Sequence, residues 1–491
     1  MEALIQALGT SFSPMNLLFM NLGVAIGIVF GALPGLSGGV AIVLFMPFTF
    51  YLDPVVSLSW LLGMYCGGTY GGSITAILIN TPGTAASAAT AMDGYALAKK
   101  GKPVKALMIA LVASCIGGLV STFMLIFISP LLSKIALKFG PAEYFSLAIF
   151  GLSIISGVSG KNIFKGLLMG CLGMFVIMIG MDPMDGVQRL TFGNLYLAGG
   201  IDMIPALIGL FALSEMFNKA KGIEKIEVTA DFNQKDDRLS WEDVKGCMKT
   251  IVKSSGIGTV IGALPGTGAA IASFLSYNEA KRVSKHPEEF GSGSIEGIAA
   301  SEAGNNGVTG ATLIPLLSLG VPGDMVTAIL VGAFLMQGLT PGPTLFKNDL
   351  PLVYGIMISL LAINVFMYIQ GRYFVKLFAQ VNRIPMQAMI PVLFVLCVVG
   401  VFVANNSMFD VKVILIFGAL SYVAGKLKLP VTPLLLGIVL GPMAEQNFRR
   451  ALSLSKGSLW IFITKPISLF FLVLVVATIV LFVRKNRKED A

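Results

Sequence analysis

Charged side chains are scarce in this sequence. Asp, Glu, Lys and Arg make up 12% of its 491 residues, against about 25% in soluble globular domains. That is too little charge to cover a water-soluble protein of this length, and it excludes a conventional soluble enzyme. Histidine is nearly absent: His286 stands alone, which excludes His-based metal centres and histidine proton relays. The five cysteines, Cys66, Cys115, Cys171, Cys247 and Cys397, are odd in number and far apart, with no Cys-x-x-Cys pair. They build no disulfide framework. No Walker A lysine pattern is present, so the chain does not itself use ATP. Met1 to Ser13 lacks a basic region followed by a small-residue cleavage site, and no signal peptide is expected.

Apolar sequence is what the chain has in quantity. Hydrophobic residues reach 55% and the mean hydropathy is +0.83. The fold class that follows is an all-α polytopic membrane protein, embedded in a lipid bilayer. At roughly 20 apolar residues per span it has room for ten or more crossings. The net charge of +9 points to no nucleic-acid partner, because Lys and Arg accumulate in cytoplasmic loops of such proteins. One stretch, Asn218 to Lys253, reads as a solvated linker, with eight Lys and Arg among several acids.

The chain repeats itself. Ala32-Leu33-Pro34-Gly35 recurs as Ala263-Leu264-Pro265-Gly266, and Thr81-Pro82-Gly83 recurs as Val321-Pro322-Gly323. Pro205, Gly209 and Glu215 resemble Pro433, Gly437 and Glu445, so order is kept at offsets of about 230 to 240 residues. An internal duplication is expected, with a first transmembrane repeat over 1–217 and a charged cytoplasmic linker over 218–250. A second repeat then covers 251–466, and a C-terminal helix with a basic tail covers 467–491. Loop charge sets the orientation. Lys281, Arg282 and Lys285 follow the second Ala-Leu-Pro-Gly string, whereas Phe48 to Trp60 after the first has no Lys or Arg. Lys99, Lys100, Lys102 and Lys105 follow the first Pro-Gly hairpin, but only Lys347 follows the second. This sign change predicts inverted repeats, with the N-terminus periplasmic and the C-terminus cytoplasmic. Lys134 and Lys138 fall on the outside in that scheme, against the trend.

Pro-Gly breaks inside apolar segments demand a reason, since proline removes a backbone donor and glycine weakens a helix. Non-helical backbone survives at membrane depth where protein buries it or where it lines a wet cavity. Paired breaks in two repeats are a sequence pointer to a transporter's midplane site; kinks that merely improve packing are the other reading. The candidate substrate-binding residues are Pro34, Gly35 and Ser37, then Asn80, Thr81, Pro82 and Gly83. Their counterparts are Pro265, Gly266 and Thr267, then Asn305, Asn306, Pro322 and Gly323. No Lys or Arg lies inside these segments. A carboxylate held by helix N-termini, amides and hydroxyls fits that pattern, with a co-bound cation balancing charge. Small hydroxyl residues also serve close helix packing. Replacing Asn80 or Asn305 by Ala is expected to lower uptake.

Acids within apolar sequence are functional candidates by default. Glu302 and Asp324 mark a candidate Na+ site together with Ser73, Thr75 and Thr309, or one of the acids carries a proton. Asp53, Asp93 and Glu296 lie nearer segment ends and are expected at the interface. Gly35-Leu36-Ser37-Gly38 matches the string of intramembrane serine proteases, but the base it needs is missing, because His286 sits in the charged run Lys281 to Glu289. No catalytic residue and no cofactor other than the coupling ion is expected.

The strings GALPGLSGG from Gly31, GGTYGGSITAILINTPGTAASAATAMDGY from Gly67, GALPGTGAAIASFLSY from Gly262 and AGNNG with PLLSLGVPGD after it resemble the large membrane subunit of tripartite tricarboxylate transporters. The resemblance covers nearly the whole chain. It implies a bacterial inner-membrane, secondary-active importer of di- or tricarboxylates, citrate-like, driven by a Na+ or proton gradient. It implies two partners, a small membrane subunit and a periplasmic substrate-binding protein, and by analogy an elevator-type movement. A stand-alone ion-coupled transporter, or a channel without a binding protein, is the alternative.

Overall fold

A computed structural model describes residues 2–33, 35–153, 163–219, 237–266, 268–380 and 386–489. Among them the regular secondary structure is helical, apart from one two-residue antiparallel pairing of Gly180–Met181 with Gln188–Arg189.

The first part of the chain runs α1 (Glu2–Ser11), α2 (Pro14–Gly31), α3 (Gly38–Phe45), α4 (Pro54–Ile79), α5 (Ser87–Lys99) and α6 (Pro103–Ala136). Then follow α7 (Pro141–Ser153), α8 (Ile163–Ile177) and α9 (Met203–Leu207), which continues through a π turn into Ser214–Lys219. Beyond residue 236 come α10 (Trp241–Ala263), α11 (Gly268–Val283), α12 (Ile295–Ala311), α13 (Leu313–Leu319) and α14 (Met325–Met336). The last helices are α15 (Leu350–Gln380), α16 (Met386–Asn405), α17 (Met408–Lys426), α18 (Val431–Leu454) and α19 (Pro466–Glu489). Among the described residues, five segments are long and apolar enough to cross a membrane: Pro14–Gly31, Pro103–Ala136, Leu350–Val375, Ala388–Asn405 and Met408–Lys426. Shorter apolar helices, Gly38–Tyr51, Phe164–Ile177, Met325–Met336 and Pro466–Val480, accompany them.

Local sequence explains where the helices begin. Ser13, Ser37 and Ser294 each accept an N–H from the first turn of α2, α3 and α12, and Asp53 does so for α4. Each satisfies a donor the helix leaves orphaned. Ser240 and Asp243 form a reciprocal capping box, so the charged stretch from Trp241 onward is the opening of α10 rather than loop.

The ends of α4 and α13 share one device. Asn80 at φ 55° and Gly320 at φ 76° close them in left-handed conformation. Thr81 N–H then reaches back to Thr75 O (3.4 Å) and Val321 N–H to Pro315 O (3.3 Å). These wide turns satisfy the last carbonyls, and Pro82 and Pro322 prevent the helices from resuming.

Glycine lets backbones touch. A Cβ on Gly27 would stand 2.5 Å from Met64 O, and one on Gly67 would stand 2.4 Å from Val24 O, which fixes α2 tightly on α4. In the centre, α12 is buried from Gly297 to Ala311 and packs between α6, α10 and α11.

Candidate functional site

Four helices begin around one cavity of about 660 Å³. Ser37, Gly38 and Gly39 bring the N-terminus of α3, and Thr84, Ala85 and Ala86 lead into α5. Gly268, Ala269 and Ala270 open α11, while Asp324, Met325 and Val326 open α14. Tyr65, Gly68 and Thr69 of α4, Asn305 and Thr309 of α12, and Thr432 of α18 complete the polar wall. Each N-terminus presents the positive end of a helix dipole, with Ser37 capping α3 through Val40 N–H and Asp324 capping α14 through Thr327 N–H. Among the described residues, no Lys, Arg or His lines the cavity.

The breaks are held against each other in pairs. Gly266 N–H donates to Gly323 O (2.7 Å) and Gly83 N–H to Gly72 O (3.2 Å). A Cβ on Gly83 would meet Gly31 O at 2.3 Å, and one on Gly323 would meet Thr312 Cα at 2.7 Å. Gly35 and Gly266, the glycines of the two Ala-Leu-Pro-Gly strings, have φ of +83° and +78°. Only glycine takes that conformation without strain.

Of the residues expected from sequence to bind substrate, Ser37, Gly83, Pro265, Gly266, Asn305 and Pro322 line the cavity, with Thr309 and Asp324 from the cation set. Asn80, Thr81 and Pro82 instead close α4, with Asn80 and Pro82 exposed. Gly323 and Asn306 lie behind the wall, and Pro34 and Thr267 fall outside the described residues. Gly35 rests against the Lys219 side chain and Glu215 Oε1. A basic group therefore reaches the first break from the end of the helix after α9, although the break itself has none. Tyr65 and Thr69 carried no signal in sequence, because they sit on an unbroken part of α4.

The two candidate acids have different surroundings. Asp324 caps α14: Oδ1 accepts from Thr327 N–H (2.8 Å) and Thr327 Oγ1 (2.7 Å), and Oδ2 accepts from Tyr65 Oη–H (2.7 Å). Glu302 is 0% exposed, directly behind the wall. Its Oε1 accepts from Ser73 (2.6 Å) and Thr90, and its Oε2 accepts from Ser114 (2.9 Å). Thr75 stays out of this group, donating to Gly72 O at 3.1 Å. Thr90 and Ser114 could not have been picked from sequence, since they lie some 190 to 210 residues from Glu302.

Asp93, expected near the end of an apolar segment, is drawn into the protein. It is fully buried; Oδ1 takes the N–H groups of Gly291, Gly293 and Ser294, all at 2.8 Å, and Oδ2 takes Tyr277 Oη–H. It ties the loop before α12 to α5. His286 is exposed and lines a second cavity with Lys102, Lys105 and Glu296, apart from the cavity that holds Ser37.

These features define an all-helical membrane protein with a cavity built from broken helices. The chain belongs to the tripartite tricarboxylate transporter TctA family, whose model matches residues 17–436. The family is one of transporters. The chain is similar to an uncharacterized 52.8 kDa protein in the TAR-I ttuC' 3' region of Agrobacterium vitis. The two are 38% identical over 472 residues, covering 96% of this chain and 94% of that protein. It is also 40% identical over 211 residues to an uncharacterized protein in the TAR-II ttuC' 3' region of the same organism, covering 43% of this chain and 87% of that one. No solved structure matches the chain.

Proposed function

We propose that the protein is the large transport subunit of a secondary-active carboxylate importer in the bacterial inner membrane. It works with a small membrane subunit and a periplasmic binding protein that delivers a di- or tricarboxylate, citrate-like in charge. The observation that carries this reading is the convergence of four helix N-termini on a cavity without basic side chains. Family membership supplies the tripartite context.

The chemistry follows from the lining. Substrate carboxylates would face the N-termini of α3, α5 and α11, which favour negative charge, away from α14, whose N-terminus the Asp324 carboxylate already caps. The hydroxyls of Ser37, Thr69 and Thr84 and the amide of Asn305 would fix orientation. A carboxylate held by neutral dipoles rather than by a fixed countercharge is bound less tightly and released more easily, which suits a site that must load and unload in each cycle. We further assign the chain two inverted repeats, the N-terminus to the periplasm, the C-terminus to the cytoplasm, and an elevator-like movement. Support comes from the ordered Pro-Gly breaks, the matched φ of Gly35 and Gly266 and the sign change in loop charge.

The test is reconstitution in proteoliposomes with both partners. Uptake of di- and tricarboxylates is expected to require the binding protein and an imposed Na+ or proton gradient. Uptake that persists without the binding protein would make it a stand-alone transporter, and downhill flux without coupling would make it a channel.

A further inference from the structure

Glu302 is a carboxylate without a countercharge. It is fully buried, and its hydrogen-bond partners are the hydroxyls of Ser73, Thr90 and Ser114 and the Asn306 amide nitrogen, at 3.4 Å from Oε2. Hydroxyl dipoles lower the cost of burying an ion, but they do not cancel its charge. An isolated charge at this depth is resolved by a partner cation.

Buried acceptors without donors surround it. Asn306 Nδ2 donates to Ser114 Oγ at 2.8 Å and to Glu302 O at 3.2 Å, which fixes the amide and leaves Oδ1 without a hydrogen bond. Asn305 is 0% exposed with both amide atoms unpartnered, so the amide is free to turn its Oδ1 to a ligand. Both residues stand one turn beyond Glu302 on α12, on the same side. Tyr70, one turn before Ser73 on α4, has a buried hydroxyl with no partner. Unpaired oxygens beside an unneutralised carboxylate want a positive ligand, and a hard cation takes oxygen donors of this kind. A proton on Glu302 would neutralise the carboxylate and supply one donor, enough for one of the two amide oxygens, whereas a cation can take both.

We propose that Glu302, with the amide oxygens of Asn305 and Asn306, holds a Na+ ion that couples to transport. The proposal deepens the transport reading above and rests on it. Asp324 has another task, capping α14 through Thr327 and receiving Tyr65, and among the described residues no unpartnered amide oxygen stands one turn from it as those of Asn305 and Asn306 do from Glu302. Asn305 lines the substrate cavity while Glu302 lies just behind it, so the ion enters from the cavity through Asn305. The geometry also supplies the coupling. An anion in the cavity is repelled by a bare Glu302 and attracted once Na+ sits between them, and such linkage acts in both directions. Three hydroxyl donors come from α4, α5 and α6, so filling the site also ties α12 to the helices of the first part of the chain.

The test is binding of radiolabelled Na+ to the purified full-length protein in detergent, with neither substrate nor partner present. Saturable binding that choline does not displace is expected. Glu302→Gln should weaken it by about tenfold or more, a loss of about 1.4 kcal/mol. Asn306→Ala keeps the carboxylate and should also weaken it, which covers the case where Glu302→Gln fails to fold. A monodisperse Glu302→Gln variant that binds Na+ like the wild type overturns the proposal. So does a wild type that shows no saturable Na+ binding but changes stability with pH in a way Glu302→Gln abolishes, which would make Glu302 a proton carrier. Citrate binding by the same wild-type preparation is scored separately. Citrate binding without Na+ binding removes only the ion site, whereas Na+ binding without any carboxylate transport removes only the substrate reading.

Discussion

Tyr65 donates a 2.7 Å hydrogen bond to Asp324, joining the middle of α4 to the N-cap of α14 across nearly 260 residues of sequence. The same carboxylate accepts Thr327 N–H through its other oxygen, at 2.8 Å. One side chain thus starts a helix and anchors that helix to the wall of the cavity. Tyr65→Phe is expected to lower stability by about 1.5–3 kcal/mol through loss of a hydrogen bond to a carboxylate. Asp324→Ala should cost more, because the cap is lost as well. Thermal unfolding in detergent without substrate tests the order; wild-type stability in both variants would refute this role.

The expectation that Asn80 and Asn305 act alike separates once their places are known. Asn305→Ala should lower carboxylate uptake, since the amide lines the cavity. Asn80 adopts φ 55° at the exposed end of α4, where glycine is at home. Asn80→Gly should therefore leave uptake and expression near wild type. Reduced uptake in Asn80→Gly at normal expression would return it to the site.

Gly83→Ala and Gly323→Ala should impair folding, because each new methyl would press on backbone atoms 2.3 to 2.7 Å away. Overpacking of this kind costs about 1–3 kcal/mol, more where backbone must move. Gly256→Ala in α10 has open space around it and should be neutral or gain up to about 1 kcal/mol in helix propensity. Yield of monodisperse protein after size exclusion distinguishes the two groups. Normal yield for Gly83→Ala would mean the breaks are not packed against each other.

The hairpin that follows α8 is docked by charge. Asp182 accepts Met184 N–H (2.8 Å) and pairs with Arg189 and with Arg449 of α18 (2.6 Å). The backbone N–H of Met184 and then the two guanidinium groups hold its carboxyl below the ordinary carboxylate range. A lowered pKa gives stability that is present above the unfolded value and lost as pH falls through the folded one. Arg449→Met should therefore destabilise the protein at neutral pH, and its gap to wild type should narrow below about pH 4. A gap that stays constant from neutral to acidic pH in thermal unfolding would refute the ionic account.

The sequence by itself determined that this is a membrane protein, that its helices stop where Pro and Gly interrupt apolar runs, and to which transporter family it belongs. Those properties are local. Hydropathy, a proline without its N–H and a glycine at positive φ act within a few residues, so Pro82, Pro322, Gly35 and Gly266 could be read directly. Only the tertiary structure decided which flanking residues share a cavity. Asn80 and Asn305 looked alike in sequence, yet one closes a helix and the other lines the wall. Glu302 and Asp324 were equally good acids on paper. Packing placed Asp324 at a helix N-cap under Thr327 and Tyr65, and it enclosed Glu302 with hydroxyls from three distant helices. The charge state of a buried carboxylate depends on partners that folding brings to it, and no pattern along the chain encodes them.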